Sequence, residues 1–259
     1  MPNENKPATI CVICTSHSLS EKASEFAKIH HYAFHTQEND SYELQLIFED
    51  DKIELHDTTL NTNIFVDFVE GALAHREKYG GGKGQAIAKA IGLNKIKNPT
   101  VIDATAGLAR DAYVLATMGC RVTLLEASPI LYTLISNGIE RARLSDNDEH
   151  SVDNFIDLIN SDSKHYLKQL DADSKPDVIY IDPMYPERKK SALVKKDMQI
   201  LHKLIGKSED ESDLLDTALL MAKRRVVVKR PSHAEPVTGI KPTMSISSKK
   251  TRYDVYVVT

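Results

Sequence analysis

No apolar run in this chain approaches the roughly 20 residues that span a bilayer, so no membrane-crossing helix is expected. The opening Met-Pro-Asn-Glu-Asn-Lys-Pro lacks the basic and apolar regions of a secretory signal. Cysteine is scarce, three in 259 residues. An odd number in a long chain argues against a disulfide framework and for a reducing compartment, and a cytoplasmic location is expected. Cys11 and Cys14 have C-x-x-C spacing but sit inside the apolar run Ile10-Cys-Val-Ile-Cys14, and no second C-x-x-C exists. They read as small buried hydrophobes, as does Cys120 at the head of another apolar run. His30, His31 and His35 fall on an expected helix and loop, where packing or solvent contact is the expected role; no metal site is expected. Nor is there an overall basic excess, since the net charge is −4. Its distribution is uneven: from Pro183 onward 16 Lys+Arg face 9 Asp+Glu, net +7, and before it 17 face 28, net −11. A basic third on an acidic protein suggests a face directed at a polyanion, with solvated helix faces as the alternative.

Glycine is missing where a dinucleotide fold needs it. Thr100-Val-Ile-Asp-Ala-Thr-Ala-Gly-Leu-Ala-Arg-Asp111 reads as a short buried strand, a tight turn and a helix, with Leu108, Ala112, Leu115 and Ala116 at helical spacing. That opens a nucleotide-binding βαβ unit, but the turn holds Gly107 alone instead of Gly-x-Gly-x-x-Gly. The next strand, Arg121-Val-Thr-Leu-Leu-Glu126, ends in an acid placed to bind ribose hydroxyls. Asp103 and Asp111 bracket the turn. Carboxylates are poor neighbours for pyrophosphate and suit a ribose or a cationic ligand. S-adenosylmethionine (SAM) carries a sulfonium and an ammonium and no phosphate, so the turn reads as a SAM site with Asp103, Gly107, Asp111 and Glu126 as candidates. Gly80-Gly-Gly-Lys-Gly84 is no P-loop, because Lys83 is followed by Gly84 rather than Ser or Thr. With His75, Arg76 and Lys78 it suits a lid, an RNA-contacting loop or a linker.

Asp177-Val-Ile-Tyr-Ile-Asp-Pro-Met-Tyr-Pro186 reads as a further buried strand. Its end resembles the (Asp/Asn)-Pro-Pro-(Tyr/Phe) motif of methyltransferases acting on nitrogen, where the acid or amide accepts from a planar amine and the ring stacks on the base. The lone pair of an amine conjugated to a purine is delocalised. An acceptor at its N–H helps localise that pair toward the methyl group, and alignment supplies much of the rest. Asp182 and Tyr185 are the catalytic candidates, against the plain alternative of a strand-ending turn. After an expected strand over Phe155–Asn160, Asp162 either accepts from an adenine amino group or caps a helix. Lys189, Lys190, Lys195 and Lys196 follow Tyr185, and Lys229 and Arg230 end an apolar strand; these are the candidate RNA-phosphate contacts.

Composition, 41% hydrophobic and 27% charged, is globular. Residues 1–75 read as a small α/β domain, with a strand over Ala8–Cys14, a helix over Ser20–Phe34, a hairpin of Tyr42–Phe48 and Lys52–His56, and an alternating run from Ile64. Residues 76–98 read as a connector and helix, and residues 99–259 as the main domain. Within that domain, Ser128-Pro129 starts a helix, another covers Asp213–Ala222, and Ser245–Ser247 with Tyr253–Val258 form a closing antiparallel pair at a sheet edge.

Together these stretches resemble the bacterial ribosomal RNA small subunit methyltransferase J family. The likeness is carried by Val66-Asp-Phe, Ala74-His-Arg, Gly80–Gly84, Asp103–Asp111, Gly119-Cys-Arg-Val122, Tyr180–Pro186, Lys189–Lys196 and Arg225–Pro231, and covers roughly residues 60–259. It implies an α/β fold of the class I SAM-dependent kind, a Rossmann-like doubly wound sheet, methylating the N2 amine of a specific guanosine in 16S rRNA and releasing S-adenosylhomocysteine. It also implies cofactor contacts at Arg110, Asp111, Glu126, Ala127, Asp162, Ser163 and Asp182. Two positions depart from the family pattern: Ala109 stands where glycine is common, and Asp162 where serine is expected. The partner implied is 16S rRNA or the 30S subunit, and a monomer is expected. Two alternatives stay open, namely the same chemistry on adenine N6 or a protein glutamine, and a non-catalytic RNA-binding assembly factor.

Overall fold

The computed structural model describes residues 8–68, 82–145, 152–183, 196–206, 211–237, 239–249 and 251–258. Five short segments form an N-terminal sheet: β1 (Ile10–Cys14), β2 (Ala33–His35), β3 (Leu44–Phe48), β4 (Ile53–Asp57) and β5 (Thr62–Ile64), ordered β2-β1-β3-β4-β5. The expected hairpin is present as the antiparallel pair β3–β4. The helix expected to reach Phe34 is shorter. Helix α1 (Ser20–Ile29) ends because His31 takes a left-handed φ of 58° and the Tyr32 N–H closes onto the Ala27 carbonyl at 2.8 Å, turning the chain into β2. Beyond β5 the alternation continues without a strand, with Val66 and Phe68 buried and Phe65 exposed. Cys11, Cys14 and Cys120 are buried and take part in no disulfide.

A second sheet holds β6 (Thr100–Asp103), β7 (Arg121–Glu126), β8 (Ile156–Asn160), β9 (Val178–Ile181), β10 (Arg225–Pro231), β11 (Met244–Ser247) and β12 (Thr251–Val257), ordered β11-β12-β10-β9-β6-β7-β8. The run β8-β7-β6-β9-β10 is parallel. From β6 the chain winds outward to β7 and β8 and then returns to β9 on the other side. This is the expected doubly wound order, and the reversal leaves a crevice at the carboxyl ends of β6 and β9. β11 and β12 pair antiparallel as expected, but β12 is not at the edge. It lies between β10 and β11, where its Tyr253, Val255 and Tyr256 are buried on both sides; the largely exposed β11 takes the edge.

Alongside the strands lie α2 (Ala86–Ile91), α3 (Arg110–Thr117), α4 (Pro129–Ser145), α5 (Ser163–Lys168), α6 (Lys196–Ile205) and α7 (Glu211–Met221). None is long and apolar enough to cross a membrane. Period-two alternation divides the sheet's apolar residues. Val101, Val178, Tyr180 and Val227 join one cluster with α2, α3, α4 and α6; Ile102, Ile179, Ile181, Val226 and Val228 join another with α5 and α7. The first cluster runs on without a break into the core of the N-terminal sheet. There α4 comes so close that a Cβ on Gly138 would meet Val66 Cγ1 at 2.7 Å. Tyr113 of α3 stacks on Phe68 at 5.0 Å and donates to its carbonyl.

Candidate active site

The alternation that turns Val101, Tyr180 and Val227 to one face carries Asp103, Asp182 and Lys229 to that face two residues further on, at the carboxyl edge of the sheet. They open on a cavity of about 630 Å³. All nine residues expected to meet the cofactor line it: Asp103, Gly107, Arg110, Asp111, Glu126, Ala127, Asp162, Ser163 and Asp182.

The turn after β6 depends on two left-handed residues. Gly107 has φ 56°, and a Cβ there would meet nothing nearer than the Thr105 carbonyl at 3.8 Å. Backbone conformation, not crowding, asks for glycine, and the space above it admits a ligand close to the backbone. Ala109 takes φ 55°, which costs an L-residue roughly 1–2 kcal/mol. It is held there by its N–H on the Ala106 carbonyl at 2.7 Å and by burial of its methyl. The helix therefore begins at Arg110, later than the apolar spacing from Leu108 suggests.

Glu126, 8% exposed, accepts from the Gly107 N–H at 3.2 Å and the Ser128 N–H at 2.8 Å. Burial pushes its carboxyl up to about 7 against those donors. Thr105, which no motif singled out, joins the two halves of the site. Its Oγ1 accepts from the Asp182 N–H at 2.6 Å, and its N–H donates to Asp103 Oδ1 at 3.0 Å. Asp103 is pushed up to about 7, mainly by burial, with the Thr105 N–H opposing and the charges of Asp111 and Asp182 adding.

Lys229 is not placed for an RNA phosphate. Its ammonium donates to Asp111 Oδ2 at 2.7 Å and to Asp182 Oδ2 at 2.8 Å, and the Tyr180 hydroxyl donates to the same Asp111 oxygen at 2.6 Å. Burial alone would lower the lysine; the two carboxylates outweigh it and hold it well above its ordinary value. Arg230 is one residue on, so it points to the opposite face and is 7% exposed. Lys196 is likewise engaged within the protein, donating to the Leu60 carbonyl and Thr62 Oγ1. Arg110 pairs with Asp197 of α6 at 2.7 Å. Asp162 lines the cavity and also caps α5, accepting from the His165 N–H at 2.8 Å. Ser163 Oγ donates to the Ala104 carbonyl at 2.6 Å. Tyr185, Lys189, Lys190, Lys195, His75, Arg76 and Lys78 lie outside the described residues.

Sequence reading missed α6, whose Met198, Leu201 and Ile205 wall the cavity. It also missed Tyr180, although a lone hydroxyl in an aliphatic strand is a readable signal. The donor set fits SAM. Glu126 offers a carboxylate to ribose hydroxyls, Asp103, Asp111 and Asp182 offer negative charge to a sulfonium and an ammonium, and Met198, Leu201 and Leu214 add apolar lining to the cavity. Among the described residues no group of three or more His, Cys, Asp and Glu is arranged to hold a metal ion.

The family model described as "Putative SAM-dependent methyltransferase" matches residues 28–258. A protein from Colwellia psychrerythraea named Ribosomal RNA small subunit methyltransferase J is 55% identical over 194 residues, 75% of this chain and 70% of that protein. One of the same name from Photorhabdus laumondii is 41% identical over 251 residues, 95% of this chain and 98% of that protein. The crystal structure of a SAM-dependent methyltransferase from Neisseria gonorrhoeae superposes with a TM-score of 0.74 and 34% identity, covering 96% of each chain. The Photorhabdus and Neisseria matches take in nearly the whole chain, and this chain belongs to the ribosomal RNA small subunit methyltransferase J family of SAM-dependent methyltransferases.

Proposed function

We propose that this chain methylates the exocyclic N2 amine of a guanosine in 16S rRNA, with Asp182 as the acceptor for the amine and Tyr185 stacked on the splayed base. The observation that carries the reading is the position of Asp182. Its carboxylate is 35% exposed at the cavity, and its own N–H is tied to Thr105 of the SAM turn. An amine bound there lies beside the cofactor pocket. The relatives' name supplies the substrate class.

When bound, SAM supplies an electrophilic methyl group on a sulfonium sulfur. Asp182 accepts from the amine N–H and drives lone-pair density toward that methyl group, and the fixed pose removes most of the entropy of bringing the reactants together. A base in single-stranded RNA can be turned out and stacked on an aromatic ring, the role given to Tyr185. Lys189, Lys190 and Lys195, which follow Asp182 closely in sequence, are the residues given the role of meeting phosphates, which position RNA without reading its sequence.

The test is transfer of labelled methyl from SAM to 30S subunits and to free 16S rRNA lacking the modification. The expected result is label in N2-methylguanosine that falls on the order of 10²-fold or more in folded Asp182→Ala. Equal labelling by the variant, or label that enters only DNA or protein, overturns the proposal.

A further inference from the structure

We infer that Lys229 is a positioning residue for methyl transfer: clamped between Asp111 and Asp182, its ammonium aims the Asp182 carboxylate and keeps it in the ionised, acceptor-only form. This inference rests on the role given to Asp182 above.

The clamp is fixed at each end. Tyr180 holds Asp111 from β9, the ammonium bridges Asp111 and Asp182 at 2.7 and 2.8 Å, and Thr105 holds the Asp182 backbone. Exposure is graded along it. The side chains of Asp111 and Lys229 are 11% and 22% exposed, and that of Asp182 is 35%. Asp182 is thus the member open to a substrate, and Lys229 engages one of its oxygens, leaving the other as the acceptor. Among the described residues the groups facing Asp182 are Asp103 from β6, Asp111 from α3, Tyr180 from β9 and Lys229 from β10, with Tyr253 of β12 beside Tyr180. Asp103, Asp111 and Asp182 therefore crowd together around the Lys229 ammonium. Crowded, desolvated carboxylates take up protons, and burial does push Asp182 up, with Lys229 opposing and Asp111 adding.

The protonation state decides what is bound. A carboxylate only accepts, so it pairs with an N–H group; a protonated carboxyl also donates and would hold a purine carbonyl as readily. In the transfer, the nitrogen lone pair forms the N–C bond while the C–S bond breaks with its electron pair left on sulfur. The nitrogen then sheds one proton to Asp182 and from there to water. Lys229 keeps its proton throughout.

The test is the pH profile of kcat for wild type, Lys229→Met, Lys229→Arg and Asp111→Asn, with SAM affinity measured by calorimetry. Lys229→Met is expected to lower kcat on the order of 10²-fold and to move the acid limb to higher pH. Lys229→Arg should return the limb toward its original position. Asp111→Asn removes a charge that raises Asp182 and should move the limb to lower pH, which decides the matter if Lys229→Met does not fold. A limb unmoved in Lys229→Met, equal impairment of the Arg and Met variants, or an upward shift in Asp111→Asn overturns the inference. Should wild type methylate a different amine, the guanine reading fails, while the same profiles run on that amine still test Lys229.

Discussion

Glu126 holds the SAM turn and faces the cavity with the same carboxylate. Its two oxygens accept from Gly107 and Ser128 N–H groups, and each oxygen has a second lone pair for a ribose hydroxyl. In Glu126→Gln one oxygen becomes an NH₂ that meets one of those N–H groups donor to donor. Hydrogen bonds to a charged acceptor contribute about 1.5–3 kcal/mol, and about 1.4 kcal/mol is tenfold in affinity. The substitution should weaken SAM binding roughly 10- to 100-fold by calorimetry at about pH 8, where the wild-type carboxylate is ionised. Unchanged affinity would mean that the ribose is held elsewhere.

Helix α6 shows what an element can do without a motif. Lys203 reaches Asp57 at the end of β4 at 2.6 Å, Lys196 reaches the β4–β5 corner, and Asp197 reaches Arg110 of α3. Asp57 is fully buried and also accepts from Thr59 Oγ1 and from the N–H groups of Thr59 and Leu60. Burial would raise its carboxyl; Lys203 and these donors outweigh it and hold it below the usual range. Stripping one partner from a buried ion pair costs about 3–5 kcal/mol. Here Asp57 keeps its other donors and Lys203 is one-third exposed, so Lys203→Met should cost about 1–2 kcal/mol. It should lower the thermal midpoint and weaken SAM binding together, because α6 walls the cavity. A midpoint at the wild-type value would show that α6 is anchored by other contacts. The parallel strands were legible because strands buried on both faces are continuous apolar runs, and their carboxyl ends led to Asp103, Glu126 and Asp182. The role of α6 was not. Lys196 read as an RNA-phosphate contact, and Asp197 and Lys203 drew no reading, because their partners stand 87 to 146 residues away in sequence. Lys229 and Arg230 were grouped as one basic strand end, although period-two alternation already required them to face opposite ways.

For the whole molecule, the acidic crevice sets how stability depends on pH. Asp103 and Glu126 are both pushed up to about 7 and Asp182 to about 6, burial being the main cause. An acid whose value is raised by folding keeps its proton longer in the folded chain. Between about pH 4 and pH 7 the folded state therefore binds more protons than the unfolded one, and stability falls as pH rises through that window. Asp57 and Asp177 are shifted the other way. Their contribution is present above the ordinary carboxylate range and is lost only as pH falls below it, so it is constant from about pH 5 to 8. Lys229 is raised and stays charged in both states across the same interval. The ligand-free chain should thus melt at a lower temperature at about pH 8 than at about pH 5.5. Saturating SAM should narrow that gap, because a cation favours the ionised acids. Adenosine, which fills the nucleoside part of the pocket without the charge, should leave the gap wide. A midpoint that rises from pH 5.5 to 8 without ligand, or adenosine and SAM closing the gap alike, would mean that the buried carboxylates of the crevice do not govern the pH response. A gap that SAM narrows and adenosine leaves wide would tie the stability of the fold to the charge of the cofactor its crevice is built to hold.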